Sequence, residues 1–128
     1  MEIEHGSVAT TRHKSAYLAC GPKDGPRIFF VHGWPELSLS WRHQLLTLGN
    51  LGFRAIAPDM RGYGQSSNYA KHEDFAVSEA VQDMVELHTA LGQGPAVWVG
   101  HDWGAPVVWS VALHHPEIVH ALANLCVP

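Results

Sequence analysis

Short apolar runs alternate with stretches of helical periodicity along most of the chain. Ile28-Phe29-Phe30-Val31 is apolar at consecutive positions, so the strand it predicts needs cover on both faces, and Ala96-Val97-Trp98-Val99 reads the same way. Between them, Trp41, Leu45 and Leu48 recur at helical spacing, which predicts a helix with Ser40 as its N-cap and glycines 49 and 52 at its end. A strand is expected over residues 53–57, a loop over 58–68 and a second helix over about 75–91, with Val77, Val81, Met84, His88 and Leu91 on one face. Gly92-Gln93-Gly94-Pro95 stops that helix. A third helix is expected over about 103–114, with Ala105, Val108, Trp109 and Ala112 on one stripe and Pro116 as its stop, then a last strand over 118–127. Ahead of all this, residues 7–11 and 15–20 read as an antiparallel edge hairpin, and the turn-rich GPKDGP at 21–26 closes it off.

Strands alternating with helices predict an α/β fold, a doubly wound and mostly parallel sheet with an N-terminal antiparallel hairpin. No repeat or linker divides the chain, so residues 1–128 read as one unit. Ligands of such sheets bind beyond the carboxyl ends of the strands, and here three loops leave those ends, at 31–41, 57–75 and 99–103.

Composition narrows the function classes. The 128 residues are 46% hydrophobic, enough for one packed core, with no run near the ~18 apolar residues of a membrane span. A net charge of -4 without a basic run gives no support to a nucleic-acid partner. The first residues lack the basic and apolar regions of a secretory signal, and Cys20 and Cys126 stand far apart, so a reduced, cytoplasmic protein is expected. The 10 histidines are scattered with neither His-Glu-x-x-His nor Cys/His spacing, so no metal is expected.

The third loop carries the strongest chemical signal. Gly100-His101-Asp102-Trp103-Gly104 joins a strand directly to a helix, and a turn that tight strains its apex residue and needs small residues on either side. The pattern is that of a nucleophile elbow with Asp102 where a serine usually stands; an ordinary Asp helix cap would not need glycine at both flanks. An aspartate restricts the reaction. A serine attacking an sp³ carbon would form an ether and stop there. A carboxylate forms an ester whose carbonyl belongs to the enzyme, and water can then cleave it. Asp102 therefore points to substrates opened at an alkyl carbon, epoxides or alkyl halides.

The first loop, His32-Gly33-Trp34-Pro35, directly follows the first buried strand, a position that supplies an oxyanion donor in proteins built on such an elbow. The backbone N–H groups of Trp34 and Trp103 form the natural pair to bind an oxyanion on the Asp102 carbonyl. Pro35 fits a cis proline, and Trp34, Pro35 and Trp103 are expected to line an apolar substrate pocket. The glycine-rich middle loop, Asp59 to Ser67, lacks the Gly-Lys-Ser/Thr end of a phosphate cradle, and the GQG at 92–94 precedes a strand where a dinucleotide fingerprint follows one. Arg61 is expected to tie this loop down beside Gly62, with Tyr63 packing next to the site. No cofactor is expected.

Taken together, HGWPE, SWRHQ at 40–44, PDMRGYGQSS, GHDWGAP and HHPE resemble the first half of a soluble-type epoxide hydrolase of the α/β-hydrolase fold, over most of residues 28–128. GHDWG alone also fits haloalkane dehalogenases, which more often show a different residue after His-Gly and usually lack RGYG. Fluoroacetate dehalogenases share RGYG but typically carry arginine after the nucleophile, where Trp103 stands here. The resemblance implies hydration of a small-molecule epoxide to a vicinal diol through an ester on Asp102. It also implies a cap domain inserted after the strand at 118–127, with two tyrosines that protonate the epoxide oxygen, and a later acid and histidine beyond the cap. Pro128 precedes all of these. The chain is thus expected to be the N-terminal portion of the domain, as a fragment or as a half completed by a second chain, and to be stable only with the rest. The alternatives are a dehalogenase using the same nucleophile, and a non-catalytic half-domain bound to a complementary chain or a dimer partner.

Overall fold

A computed structural model describes residues 1–125. Six strands form one sheet: β1 (Glu4–Ala9), β2 (Lys14–Cys20), β3 (Arg27–Val31), β4 (Arg54–Pro58), β5 (Ala96–His101) and β6 (Val119–Leu125), in the order β1-β2-β4-β3-β5-β6. The pairs β1/β2 and β2/β4 are antiparallel, while β3/β4, β3/β5 and β5/β6 are parallel. Three helices, α1 (Arg42–Asn50), α2 (Val77–Leu91) and α3 (Gly104–His114), cover the sheet.

The two-sided apolar strands do what their composition requires. Phe29 and Val31 face α2 and α3, packing with Met84, Leu87, Trp98 and Val108. Ile28 and Phe30 point the other way, onto Trp41 and Leu45 beneath α1. The Phe29 and Trp98 rings stack with centroids 4.5 Å apart, tying the two central strands together through their side chains as well as their backbones.

Several element ends differ from the sequence expectation. β1 spans Glu4–Ala9, starting three residues and ending two residues before the expected 7–11; it stops at Ala9 because Thr10 opens the turn, its N–H donating to the His13 carbonyl at 2.9 Å. Ser40 is not an N-cap; it lies in a 3₁₀ turn (Ser38–Trp41), where its hydroxyl donates to the Leu37 carbonyl at 2.6 Å, and α1 starts only after Trp41. Phe75 belongs to another 3₁₀ turn (His72–Phe75), since the Arg61 guanidinium takes the Asp74 carbonyl at 2.6 Å and α2 begins at Val77. The buried stripe of α3 runs through Val107, Val108 and Val111, so Trp109 is turned outward, 46% exposed. An α3 that is apolar nearly all round gives no local clue to which face is inward. Positions 126 and 127 of the expected last strand lie outside the described residues.

Candidate active site

The parallel strands β3 and β5 bring the first and third loops side by side. β5 runs into Asp102, whose φ of 58° is the left-handed conformation that L-residues avoid, and α3 starts two residues on. Close packing dictates the flanking residues. A Cβ at Gly104 would run into the Val31 carbonyl oxygen, and one at Gly33 would stand 2.7 Å from Asp102 Oδ2. Gly100, one residue before the end of β5, packs against Ala105 and Asn124.

Glycine at 33 lets the following residue reach the carboxylate. The Trp34 N–H donates to Asp102 Oδ2 at 3.1 Å, and the Trp103 N–H donates to the same oxygen at 2.7 Å. These bonds, Trp103's first and then Trp34's, hold the Asp102 carboxyl below the usual carboxylate range, with a smaller contribution from His101. The Trp34–Pro35 peptide is cis.

His32 joins two of the loops. Its Nε2 accepts the Met60 N–H at 3.0 Å, which leaves Nδ1 to donate to the Gly33 carbonyl at 2.9 Å. Burial pushes its pKa down, so the ring is neutral and committed to the scaffold. His101 turns away from the carboxylate and pairs through Nδ1 with Glu36 Oε1 at 3.0 Å, linking the first and third loops again. Sequence reading gave Glu36 no role, although its place in HGWPE next to the cis proline was in view.

Arg61 ties the middle loop down, but through a partner that was not foreseen. Its Nε donates to Asp83 Oδ2 at 2.7 Å and its Nη2 to Asp83 Oδ1 at 2.8 Å, while the Gly62 N–H donates to the Ser67 carbonyl at 2.8 Å. Asp83 also receives Arg12 from the hairpin turn and is 1% exposed. Beside the site opens a pocket of about 180 Å³, lined by Trp103, Met60, Tyr63, Phe75, Val77 and Val107 among others. Of the expected lining residues Trp103 takes part, whereas Trp34, which is 64% exposed, and Pro35 are not among the residues that line it.

Fold and site define the class, and the chain belongs to the family described as the alpha/beta hydrolase fold, which matches residues 26–128. Its similar relatives include Epoxide hydrolase 2 of Siraitia grosvenorii, 42% identical over 126 residues, covering 98% of this chain and 39% of the relative. Epoxide hydrolase A of Mycobacterium tuberculosis (strain ATCC 25618 / H37Rv) is 45% identical over 111 residues, covering 87% of this chain and 34% of its own length. A crystal structure of an epoxide hydrolase from Vigna radiata superposes with a TM-score of 0.94 at 42% identity, over 99% of this chain and 41% of that one. The chain thus spans about a third to two-fifths of the length of these relatives. Among the described residues no helix is long and apolar enough to cross a membrane.

Proposed function

We propose that this chain carries the nucleophile half of an epoxide hydrolase. The observation that carries the reading is the sharing of one Asp102 oxygen by two backbone N–H groups. With Oδ2 occupied, Oδ1 is the oxygen free to attack. In the first step Oδ1 bonds to an epoxide carbon, the carbon–oxygen bond of the ring breaks, and the departing alkoxide takes a proton from an acid. In the second step water, deprotonated by a base, adds to the Asp102 carboxyl carbon. The negative charge then falls on Oδ2, where the Trp34 and Trp103 N–H groups already point, and collapse frees the diol and restores the carboxylate. Donors fixed before the charge appears need no reorganisation when it does.

The histidines next to the site, His32 and His101, are held by Gly33, Met60 and Glu36. We therefore assign the proton donor and the water-activating base to the remainder of the enzyme, consistent with the share of the relatives' length that this chain spans. Residues 1–128 then form the N-terminal portion of the hydrolase domain. Its remaining strands would lie along the free side of β6 and over the outward Trp109 and Leu113 of α3, which are 46% and 74% exposed. The epoxide hydrolases among the relatives favour this reaction over dehalogenation by the same carboxylate.

Mass spectrometry of rapidly quenched mixtures of the full-length protein with an epoxide tests the reading. An adduct is expected on the peptide containing Asp102, absent in Asp102→Ala. An adduct of equal yield in the Ala variant would remove Asp102 from the reaction.

A further inference from the structure

The first loop is pinned at both ends by two consecutive residues. β4 lies beside β3 in the sheet, so its carboxyl end delivers Asp59 and Met60 next to the start of that loop. At the near end the Met60 N–H donates to His32 Nε2 at 3.0 Å. At the far end the Ser38 N–H donates to Asp59 Oδ1 at 3.0 Å. Residues 33–37, which include the Trp34 N–H, are suspended between these two points, and the Glu36 N–H tightens the turn by donating to the Gly33 carbonyl at 3.0 Å.

Asp59 is itself firmly held. It is 7% exposed, its N–H donates to the Ala16 carbonyl at 2.8 Å, and its carbonyl accepts the Ser66 hydroxyl at 2.5 Å. Its second oxygen, Oδ2, accepts the Gln65 N–H at 3.2 Å. Gly64 permits that bond, with a φ of 51° and no Cβ to run into the carboxylate. Each oxygen therefore takes one backbone N–H. A side-chain amide could not do the same, because it has one acceptor oxygen and would turn its NH₂ against the other N–H.

We propose that Asp59 is a positioning residue that anchors Ser38 and so keeps the Trp34 N–H aimed at Asp102 Oδ2, acting on the second step of the reaction and not on the first. The proposal rests on the reading of Asp102 as the nucleophile. In ester formation Oδ2 gives up its share of the carboxylate charge, so a donor on it is no stronger in the transition state than before. In ester hydrolysis water adds to the Asp102 carboxyl carbon and the carbonyl electron pair moves onto Oδ2, which then needs its donors most. A loosened first loop therefore slows release of the diol while the ester still forms.

The test uses the full-length protein, styrene oxide as the probe, and two variants. Asp59→Asn keeps the shape and removes one acceptor. Ser38→Pro removes the Ser38 N–H and leaves Asp59 intact, at the first position of a 3₁₀ turn after an extended Leu37, where a proline backbone fits. Rapid-quench mass spectrometry follows the gain and loss of ester on Asp102. Removing an oxyanion donor outright costs about 10²–10³ in rate, so a loosened one is expected to slow hydrolysis about tenfold or more, with ester formation within about threefold of the parent. The ester then accumulates. Hydrogen exchange at the Trp34 N–H, which needs no reaction, is expected to quicken while the Trp103 N–H keeps its protection. Both chemical steps slowed by one factor would mean a general loss of structure, and unchanged hydrolysis with unchanged Trp34 exchange would mean that the loop holds without Asp59; either result overturns the proposal. The two variants cut the same hydrogen bond from opposite sides, so if one fails to fold the other decides. A parent protein that forms no ester on Asp102 would sink the nucleophile reading, and Trp34 exchange would still decide the anchoring: faster in the variants supports it, unchanged overturns it.

Discussion

Asp83 and Asp102 are two carboxylates in one domain with opposite surroundings. Asp83 is 1% exposed, and both its oxygens are taken by guanidinium groups, Arg61 from the middle loop and Arg12 from the hairpin turn. His13 stands 3.5 Å from it, completing a knot that fastens the hairpin turn and the middle loop to α2. Asp102 is partly exposed, has no arginine or lysine partner among the described residues, and is gripped at one oxygen by two backbone N–H groups. A carboxylate whose lone pairs are all spent on cations can hold a structure together but has nothing left with which to react. One held by neutral N–H groups at a single oxygen stays ionised with the other oxygen free. The first arrangement fits a fastening, the second a nucleophile.

The sharpest way to break this contrast is to neutralise Asp83. Asp83→Asn takes the buried counter-charge from Arg61, while Arg12 keeps Glu79 at 2.9 Å and Glu86 at 3.0 Å, so the loss is expected near the lower end of the about 3–5 kcal/mol of a broken buried pair. That is a large part of the ~5–15 kcal/mol that keeps a domain folded. Urea unfolding of the full-length protein should show a correspondingly lower midpoint. A change below about 1 kcal/mol would mean that Asp83 is no fastening and that the contrast is false.

A smaller effect separates the two sites by pH. His13, His32 and His88 are buried, and burial is the leading cause that holds each of their pKa values below the ordinary one. Their folded forms therefore stay neutral at a pH where the unfolded chain, titrating near ~6.5, has already taken up protons. The contribution is complete above ~6.5 and is lost as pH falls from there towards the depressed folded values, by up to about 1.4 kcal/mol per pH unit for each histidine. Asp102 is displaced downward from a carboxylate's range, so it keeps its charge across that whole window. Urea midpoints should fall between pH 7.5 and 5.5 while the yield of the Asp102 adduct, measured on protein still folded, shows no carboxylate titration. A flat midpoint over this range would contradict the neutral, buried state of the three rings.

These differences explain which parts were legible in the sequence. The strands IFFV and AVWV announce themselves by unbroken apolar runs, and the Asp102 turn by glycines two positions to either side, a fixed spacing that is visible in the sequence even though the atoms that crowd Gly104 belong to β3. The Asp83 knot joins residues 12, 61 and 83, and nothing near any of them names the others. Glu36 and His101 pair across 65 positions for the same reason. The insertion of β4 between β2 and β3 is likewise a property of the crossover and leaves no mark on FRAIA itself. At the edge strand β1, one face sees solvent, so alternation alone could not fix where the strand ends, and two threonines of the turn read as strand. The side pocket was missed because its wall is assembled from four separate stretches, at 32–33, 60–63, 75–80 and 103–107, whose apolar residues each pass for ordinary core.

The smallest expected effect isolates the backbone of Asp102 from its charge. At φ 58° any Cβ is disfavoured, and glycine alone occupies that region freely. Asp102→Ala and Asp102→Gly both remove the carboxylate and its two accepted hydrogen bonds, and both should fail to form an adduct. They differ in the cost of the left-handed turn. Alanine keeps the crowding, whereas glycine relieves it and gives back part of the gain through the greater freedom of its unfolded chain. The Gly variant should therefore melt a few degrees above the Ala variant. Asp83→Gly and Asp83→Ala, in the middle of α2, should show the reverse order, because a helix interior favours alanine. Equal melting temperatures for the Asp102 pair would mean that the turn relaxes without its aspartate, and that the strain belongs to the side chain's hydrogen bonds and not to the strand–helix geometry.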